Sequence, residues 1–400
     1  MLSLLLLAPL ALANGQTSHA WISVHALEHL PPGELRDFLR REDLQPMLIN
    51  GTMFPDGGYP QDDDYGEMAH WEPFQSRYRD WILAQEQAPY SDAMAQHVAF
   101  YLGMSSHGMA DQVYDSLFME RAKQHDAASD WATYSMDEAT DVAYASLQGP
   151  FSAPEDWVPY DTFLQLYTEA GHPVTQDLLA TGQSLLRVAI GYVGASSQVP
   201  ATVAKYEARF PWATTHQDDP EAYGNPGCEG AVIARYWQVL WDRLQENSSA
   251  LEPVLQSFPS EGKRIQSRDH TLVESRVSLV FSRGIDTNIL DSSLFHIRDE
   301  AGQEVPVELR VFYGYSSHVV HLIPLQDWAA DMDYTITVDA GVPTFEGDSF
   351  AGYSGSFTTR EETASPAPED DNGCSTAASG GWSGALLGLL LGLRRRRRAQ

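Results

Sequence analysis

The chain has 400 residues, 43% of them hydrophobic, which is enough to bury sizeable cores and excludes a mostly disordered protein. Its 25 basic against 55 acidic residues leave a formal charge of −30, and five of the bases form the terminal run Arg394 to Arg398. That excess of acid excludes a surface that tracks a nucleic-acid backbone, unless bound cations reverse the field locally.

Residues 2–13, LSLLLLAPLALA, read as a secretory signal peptide cut before Asn14, although no Lys or Arg precedes the apolar run. An exported chain whose only cysteines, Cys228 and Cys374, sit in unlike contexts has no disulfide framework, and Cys228 reads as a structural thiol. From 19 to 248, apolar spacings of three and four predict helices over 20–30, 33–49, 73–87, 91–124, 137–147, 160–170, 173–195 and 227–247, with loops around 50–70 and 209–227. Past 268 the period changes to two, in VSLVFS, VPVELRVF, HVVHLIP and YTITV, which predicts a small β-sandwich ending near SFTTR at 356–360. Residues 361–374 form an acidic linker with too little apolar content to fold. Ser375 to Leu393 carries no charge and would span about 28 Å as a helix, close to a hydrocarbon core, with the arginines beyond it.

Chemistry concentrates in GMSSHGMADQVYDSLF, residues 103–118, where His107, Asp111 and Asp115 follow one another at four-residue spacing inside an otherwise apolar helix. Burying two carboxylates a turn apart is expensive, and a divalent cation removes the penalty. Taken alone, this stripe is read equally well as a metal site or as a solvated face. His19 in TSHAWI, Asp56 in NGTMFPDGGYP, His70 in MAHW, and the pair Asp137 and Asp141 in MDEATD add candidates. Each also has an ordinary reading, Asp56 as a turn former, Asp137 as a helix cap, the histidines as satisfied core groups. Asp62, Asp63 and Asp64 read as a solvated acidic loop rather than a calcium site.

The segments SHAWI, MFPDGGYP, AHWEPF and FYLGMSSHGMADQVYDSL resemble the zinc-dependent phospholipase C family, most closely its glycosylphosphatidylinositol-specific phospholipase D branch, and the resemblance continues through DWVPYDTFLQLY and RYWQVLW. It implies an all-α multi-helix metal-cluster domain of the phospholipase C and P1 nuclease type over 14–250, followed by a sandwich over 260–360 that resembles bacterial immunoglobulin-like modules. It further implies up to three Zn2+ ions: His19 on one, Asp111 bridging two, His70 and His107 with Asp56 as ligand or general base, and Asp115, Asp137 and Asp141 around the third. Asn14 would add its amine and carbonyl if cleavage follows Ala13. Family members usually carry histidine where Asp115 stands and another near Asp137, so the third site is richer in carboxylates and suits a harder ion.

The expected activity is metal-dependent hydrolysis of phosphodiesters in phospholipid or glycosyl-phosphatidylinositol headgroups, with Phe54, Tyr59, Tyr65, Trp71, Trp131 and Tyr134 as candidate lining of the substrate path or as ordinary core. An S1/P1-like nuclease is the enzymatic alternative, disfavoured by the charge, and a non-catalytic surface protein with a structural metal cluster is the other. The tail resembles a myxobacterial surface-sorting signal, with Gly373-Cys374-Ser375, a hydrophobic helix and an Arg cluster. That implies an exported protein anchored at the cell surface through Cys374.

Overall fold

The structure, a computed structural model, describes residues 15–126, 133–245, 253–311 and 316–361, with backbone alone over 133–135. The expected signal segment 1–13, Asn14, Trp131, the side chains of Thr133 and Tyr134, Cys374 and the anchoring tail lie outside the described residues.

The N-terminal region is helical, built from α1 (Gln16–His29), α2 (Glu34–Leu39), α3 (Gln45–Met53), α4 (Tyr65–His70), α5 (Glu72–Gln85), α6 (Asp92–Val113), α7 (Glu120–Asp126), α8 (Thr133–Gln148), α9 (Tyr160–Glu169), α10 (Gln176–Ser197), α11 (Pro200–Arg209), α12 (Pro211–Thr215) and α13 (Pro226–Leu244). The single helix expected over 33–49 is two, because Pro46 stands in the first turn of α3, where a proline has no N–H to continue a helix from upstream. The expected loop 50–70 is also largely helical: α3 runs on to Met53, tight 3-10 turns occupy Phe54–Gly57 and Tyr59–Gln61, each with a proline in its first turn, and α4 follows. Likewise α11 and α12 begin inside or just ahead of the expected loop 209–227, both on prolines. The expected helix 91–124 is present but interrupted, with π-helical turns over Tyr114–Met119.

Helix α6 is the axis of this region, buried at every residue from Val98 to Val113. Its backbone lies directly on that of α3: a Cβ on Gly51 would meet the Phe100 carbonyl oxygen at 2.2 Å, and one on Gly103 would meet the Leu48 carbonyl oxygen at 2.1 Å. The contact matters beyond packing, since it brings the Thr52 carbonyl within 2.7 Å of His107 Nδ1 one turn along α6. Gly103→Ala should therefore push the helices apart, lower stability by about 1–3 kcal/mol in urea unfolding and loosen that hydrogen bond. Wild-type stability in this variant would mean that the helix spacing is not set by the glycines.

The C-terminal region is an antiparallel β-sandwich of two sheets, ordered β1-β2-β5-β4 and β3-β6-β7, from β1 (Val254–Phe258), β2 (Val277–Ile285), β3 (Phe295–Asp299), β4 (Val307–Val311), β5 (Ser317–Pro324), β6 (Asp333–Val338) and β7 (Tyr353–Thr358). Strand β1 precedes the expected start at 260. It shows no alternation because its side chains serve two cores: Val254 packs into the sandwich, Leu255 and Phe258 against the helices. The same holds for β2 and β5, where Leu279, Phe281, Val320 and Leu322 face the second sheet while Val280 and Val319 join the helical core. One sheet is thus covered on both faces, which is why VSLVFS reads as a continuous apolar run.

Polar contacts reinforce the junction. The Glu72 carboxylate at the start of α5 pairs with Arg243 of α13 at 2.8 Å and accepts the Gly284 N–H of β2. Arg243 also reaches Glu346, which pairs with Arg79 at 2.7 Å. The His318 N–H of β5 donates to Gln112 Oε1 at 2.6 Å, one residue from Asp111. Among the described residues no helix is long and apolar enough to cross a membrane. Cys228 is buried in α13 and forms no disulfide among them.

Candidate metal centre

Five residues from four segments converge on α6. His107 and Asp111 stand one turn apart on its buried face; α4 delivers His70 as its last residue before Trp71 turns extended and Pro73 opens α5; the 3-10 turn after α3 supplies Asp56; and α1 supplies His19. All are buried, from 0% exposure at Asp56 and His107 to 6% at His70.

The geometry of four of them is that of a ligand set. His70 Nδ1 lies 2.7 Å from the Gly66 carbonyl and His107 Nδ1 2.7 Å from the Thr52 carbonyl. Carbonyl oxygens only accept, so both rings carry a hydrogen on Nδ1 and present Nε2 inward. The two Nε2 atoms are 3.0 Å apart. Two lone pairs at that separation repel unless a cation lies between them.

From His70 Nε2 the distances to Asp56 Oδ1 and Asp111 Oδ2 are both 3.4 Å, and from His107 Nε2 they are 3.5 and 3.3 Å. A tetrahedron with metal bonds of about 2.0–2.1 Å has edges of about 3.3 Å, so these contacts match the spacing of donors around a small divalent ion. Asp56, His70, His107 and Asp111 form a buried group that can hold a metal ion.

His19 extends the cluster. Its Nε2 lies 3.0 Å from Asp111 Oδ1, the oxygen not used toward His70 and His107, and its ring stacks on His107 at 3.8 Å. Asp111 is therefore placed between two groups of donors. Burial, followed by the neighbouring His107, pushes the His19 imidazole below its ordinary range. For Asp111, burial works against the carboxylate, but His107 and His19 outweigh it and hold the group well below the usual range.

The remaining candidates are placed less uniformly. Asp137 of α8 is 1% exposed and neither of its oxygens has a hydrogen-bond partner among the described residues. Burial, then the charges of Asp115, Asp111 and Asp56, drive its carboxyl well above the usual range. A cation among these carboxylates would relieve both effects. Asp115 falls in the π-helical turns, which change the phase of the chain after Asp111, so it does not simply continue the His107–Asp111 line.

Asp141 is engaged by protein: its oxygens accept from the Ser18 N–H at 2.7 Å, the Ser18 hydroxyl at 2.9 Å and the Thr17 N–H at 3.3 Å. It satisfies the first turn of α1, whose own cap, Gly15, offers no side chain. Asp141→Ala should cost about 1–2 kcal/mol in thermal unfolding, the range of a lost helix cap. An unchanged midpoint would show that α1 does not depend on this carboxylate.

Sequence reasoning missed Gln16, whose amide donates to Asp56 Oδ2 and orients it. Its position three residues before His19, on the same side of α1, was the available signal. Also missed was Gln75, which caps the end of α4 by donating to the carbonyls of Ala69 and His70. Among the aromatic candidates, Phe54 and Tyr65 are core residues with 0% exposure. Tyr59 remains half-buried 5.4 Å from the His70 ring, and the Trp71 indole donates to Glu67 on the surface. Asp63 is occupied by the Tyr65 N–H and His172.

Comparison with known proteins adds two relations. Residues 253–359 match the bacterial Ig-like domain family. Over 125 residues the chain is 32% identical to the phosphatidylinositol-glycan-specific phospholipase D of Bos taurus, a stretch that is 29% of this chain and 15% of that protein, so the chain spans only a small part of this relative. Among solved structures, the S-layer protein rSbsC(31-844) aligns over 82% of this chain and 46% of its own at 10% identity with a TM-score of 0.23, and domains 1–6 of surface layer protein SbsC align at 14% identity with a TM-score of 0.22. Likeness at that level establishes no common fold.

Proposed function

We propose that the chain is a metal-dependent phosphodiester hydrolase, with zinc as its metal and phospholipid or glycosyl-phosphatidylinositol headgroups as its substrates. The carrying observation is the quartet Asp56, His70, His107 and Asp111, in which backbone carbonyls aim two imidazoles at a common point. Two nitrogen and two oxygen donors suit zinc. The headgroup assignment is supported by the stretch similar to a phospholipase D. Asp111, His19, Asp137 and Asp115 are the residues we assign to further ions, up to three in all. The leader and the Cys374 anchor, with export to the cell surface, belong to the same proposal.

An ion held by Asp56, His70, His107 and Asp111 would supply Lewis acidity, which lowers the pKa of a bound water toward ~7 and offsets the charge of phosphate oxygens. The chain's own residues do the rest. His70 and His107 keep their Nδ1 protons on the Gly66 and Thr52 carbonyls and so hold Nε2 in one orientation. Asp56, fixed by Gln16 through Oδ2, would serve either as a ligand through Oδ1 or, with His70, His107 and Asp111 holding the ion and one position left to water, as the group that takes or orients the proton of that water. The surrounding buried aliphatic and aromatic side chains exclude bulk water and strengthen each of these interactions.

Turnover of a chromogenic choline phosphodiester, abolished by chelator and restored by Zn2+, tests this reading. Release of acid-soluble nucleotides instead would make the chain a nuclease. Metal-loaded protein that cleaves neither would be a structural metal protein.

Protons stand in for metal in the apo protein, and this gives a pH prediction. Burial opposes the charged form at His70 and His107, but the carboxylates of Asp111 and Asp56 outweigh it and raise the two to about 10 and about 9. Both lie above the unfolded value of about 6.5, so their protons stabilise the apo fold fully below about pH 6.5 and cease to do so as pH rises through about 9 to 10. Zn2+ must displace those protons, so titration near neutral pH in weak buffer should release about two per ion, with affinity rising with pH. Binding without proton release would remove the imidazoles from the ligand set.

A further inference from the structure

The first turn of α1 runs alongside the metal centre, and its residues reach three different carboxylates. Gln16 contacts Asp56, Thr17 and Ser18 contact Asp141, and His19 contacts Asp111. Other contacts pin the same turn: a Cβ on Gly15 would collide with the Asp141 carboxylate, and the His19 ring stacks on His107. Gln16 is therefore held by its own helix and does not depend on Asp56 for its position.

The contact with Asp56 fixes which way the amide points. A carboxylate oxygen accepts, so the atom facing Asp56 Oδ2 is Nε2 and Gln16 is the donor. Oε1 is the other end of the same planar group, so an acceptor lies beside the carboxylate. That acceptor is buried, on a residue 1% exposed, and has no hydrogen-bond partner among the described residues.

An amide oxygen shut away from solvent is costly unless a donor meets it, and packing alone would be served as well by a methionine. The side chains of the cluster do not supply that donor. Asp56 and Asp111 accept, His19 turns its Nε2 to Asp111, and His70 and His107 keep their Nδ1 hydrogens on the Gly66 and Thr52 carbonyls. The donor that fits the place is water, and beside Asp56 in a hydrolytic site that water is the reactant.

We infer that Gln16 is a water-positioning residue: its Nε2 holds Asp56 by Oδ2 while its Oε1 accepts a hydrogen from the attacking water. The inference rests on the hydrolase reading and holds for either role of Asp56, whose Oδ1 still faces His70 Nε2 and His107 Nε2 at 3.4 and 3.5 Å. The amide itself neither takes nor gives up a proton. A water tethered by one hydrogen has lost rotational freedom before the reaction begins, and positioning removes that part of the barrier.

Crystals of the full chain grown with Zn2+ should show an ordered water within hydrogen-bonding distance of both Gln16 Oε1 and an Asp56 oxygen. Gln16→Met keeps the volume and removes both amide contacts. At saturating Zn2+ its kcat on the chromogenic choline phosphodiester should fall about 10–100-fold with KM unchanged, the pattern of a contact that acts in the transition state. The Co2+-loaded variant should also differ from the Co2+-loaded unaltered protein in visible absorption, because the geometry around the ion responds to Asp56. Loss of packing alone would lower the thermal midpoint and leave that spectrum as it was.

A protein donor on Gln16 Oε1, or no water there, overturns the inference. So does a variant with the unaltered kcat or the unaltered cobalt spectrum, and the crystal water decides the matter if the variant does not fold. A chain that cleaves no phosphodiester at all fails the hydrolase reading, whereas an active chain indifferent to Gln16 fails this inference alone.

Discussion

Asp111→Asn is expected to empty the metal centre. The substitution keeps the side chain's shape and removes its charge, and that charge is shared by His19 at 3.0 Å, His70 at 3.4 Å and His107 at 3.3 Å. Loss of even an outer partner lowers metal affinity or activity by about 10–100-fold, so removing the carboxylate between both donor groups should exceed about 100-fold in each. Emission spectrometry after dialysis reads the first, phosphodiester turnover the second.

A third readout needs neither metal nor substrate. Asp111 is among the charges that hold the His70 and His107 imidazolium forms up at about 10 and about 9, so in the apo variant both should titrate at lower pH by nuclear magnetic resonance. Retained metal together with unchanged histidine titration would contradict the placement of Asp111 at the centre of the cluster.

Arg243→Met should produce the largest loss of stability away from that cluster. The guanidinium side chain is 5% exposed and bonds Glu72, itself 2% exposed, across the base of the helical region. It also binds Glu346 from the sandwich. Removing one member of a buried pair leaves the other charged and unsolvated, at about 3–5 kcal/mol. Glu346 retains Arg79, so the stranded charge is chiefly Glu72.

Adding Glu72→Gln to Arg243→Met should recover a large part of the loss, because the double change removes the charge instead of orphaning it. Urea midpoints of the four proteins give the coupling directly. A single-variant loss under about 1 kcal/mol would mean that the docking of sandwich on helices is held by apolar contact alone.

This junction also bears on the role of the sandwich. A spacer would touch the helical region at its ends. Here β5 reaches Gln112, beside Asp111, and the outer face of its sheet fills out the helical core through Val280 and Val319. The sandwich braces the helix that carries two of the cluster residues.

Much of this was legible in the sequence. The switch of apolar period past 268 separated helices from strands, and the chemistry of His19, Asp56, His70, His107 and Asp111 marked them as candidates while they were still far apart in the chain. What could not be read there were features that depend on a partner segment. Pro46 divided an expected helix whose apolar spacing ran straight through it. The π-helical turns at 114–119 took Asp115 off the line of His107 and Asp111. Gln16 became a support for Asp56 and Asp141 a support for α1 only because the helices meet there. Strand β1 was hidden because its two faces answer to different cores.

The sequence by itself determined the order of helical and β regions and the donor types, because periodicity and side-chain chemistry are local properties of the chain. Tertiary structure alone decided that four segments bring these five residues within about 3.5 Å of one another. That distance is set by backbone contacts such as Gly51 on Phe100 and Gly103 on Leu48, where the absence of two Cβ atoms lets α3 lie close enough for Thr52 to fix His107. No local pattern encodes such a contact, since its energy belongs to neither helix until both are packed.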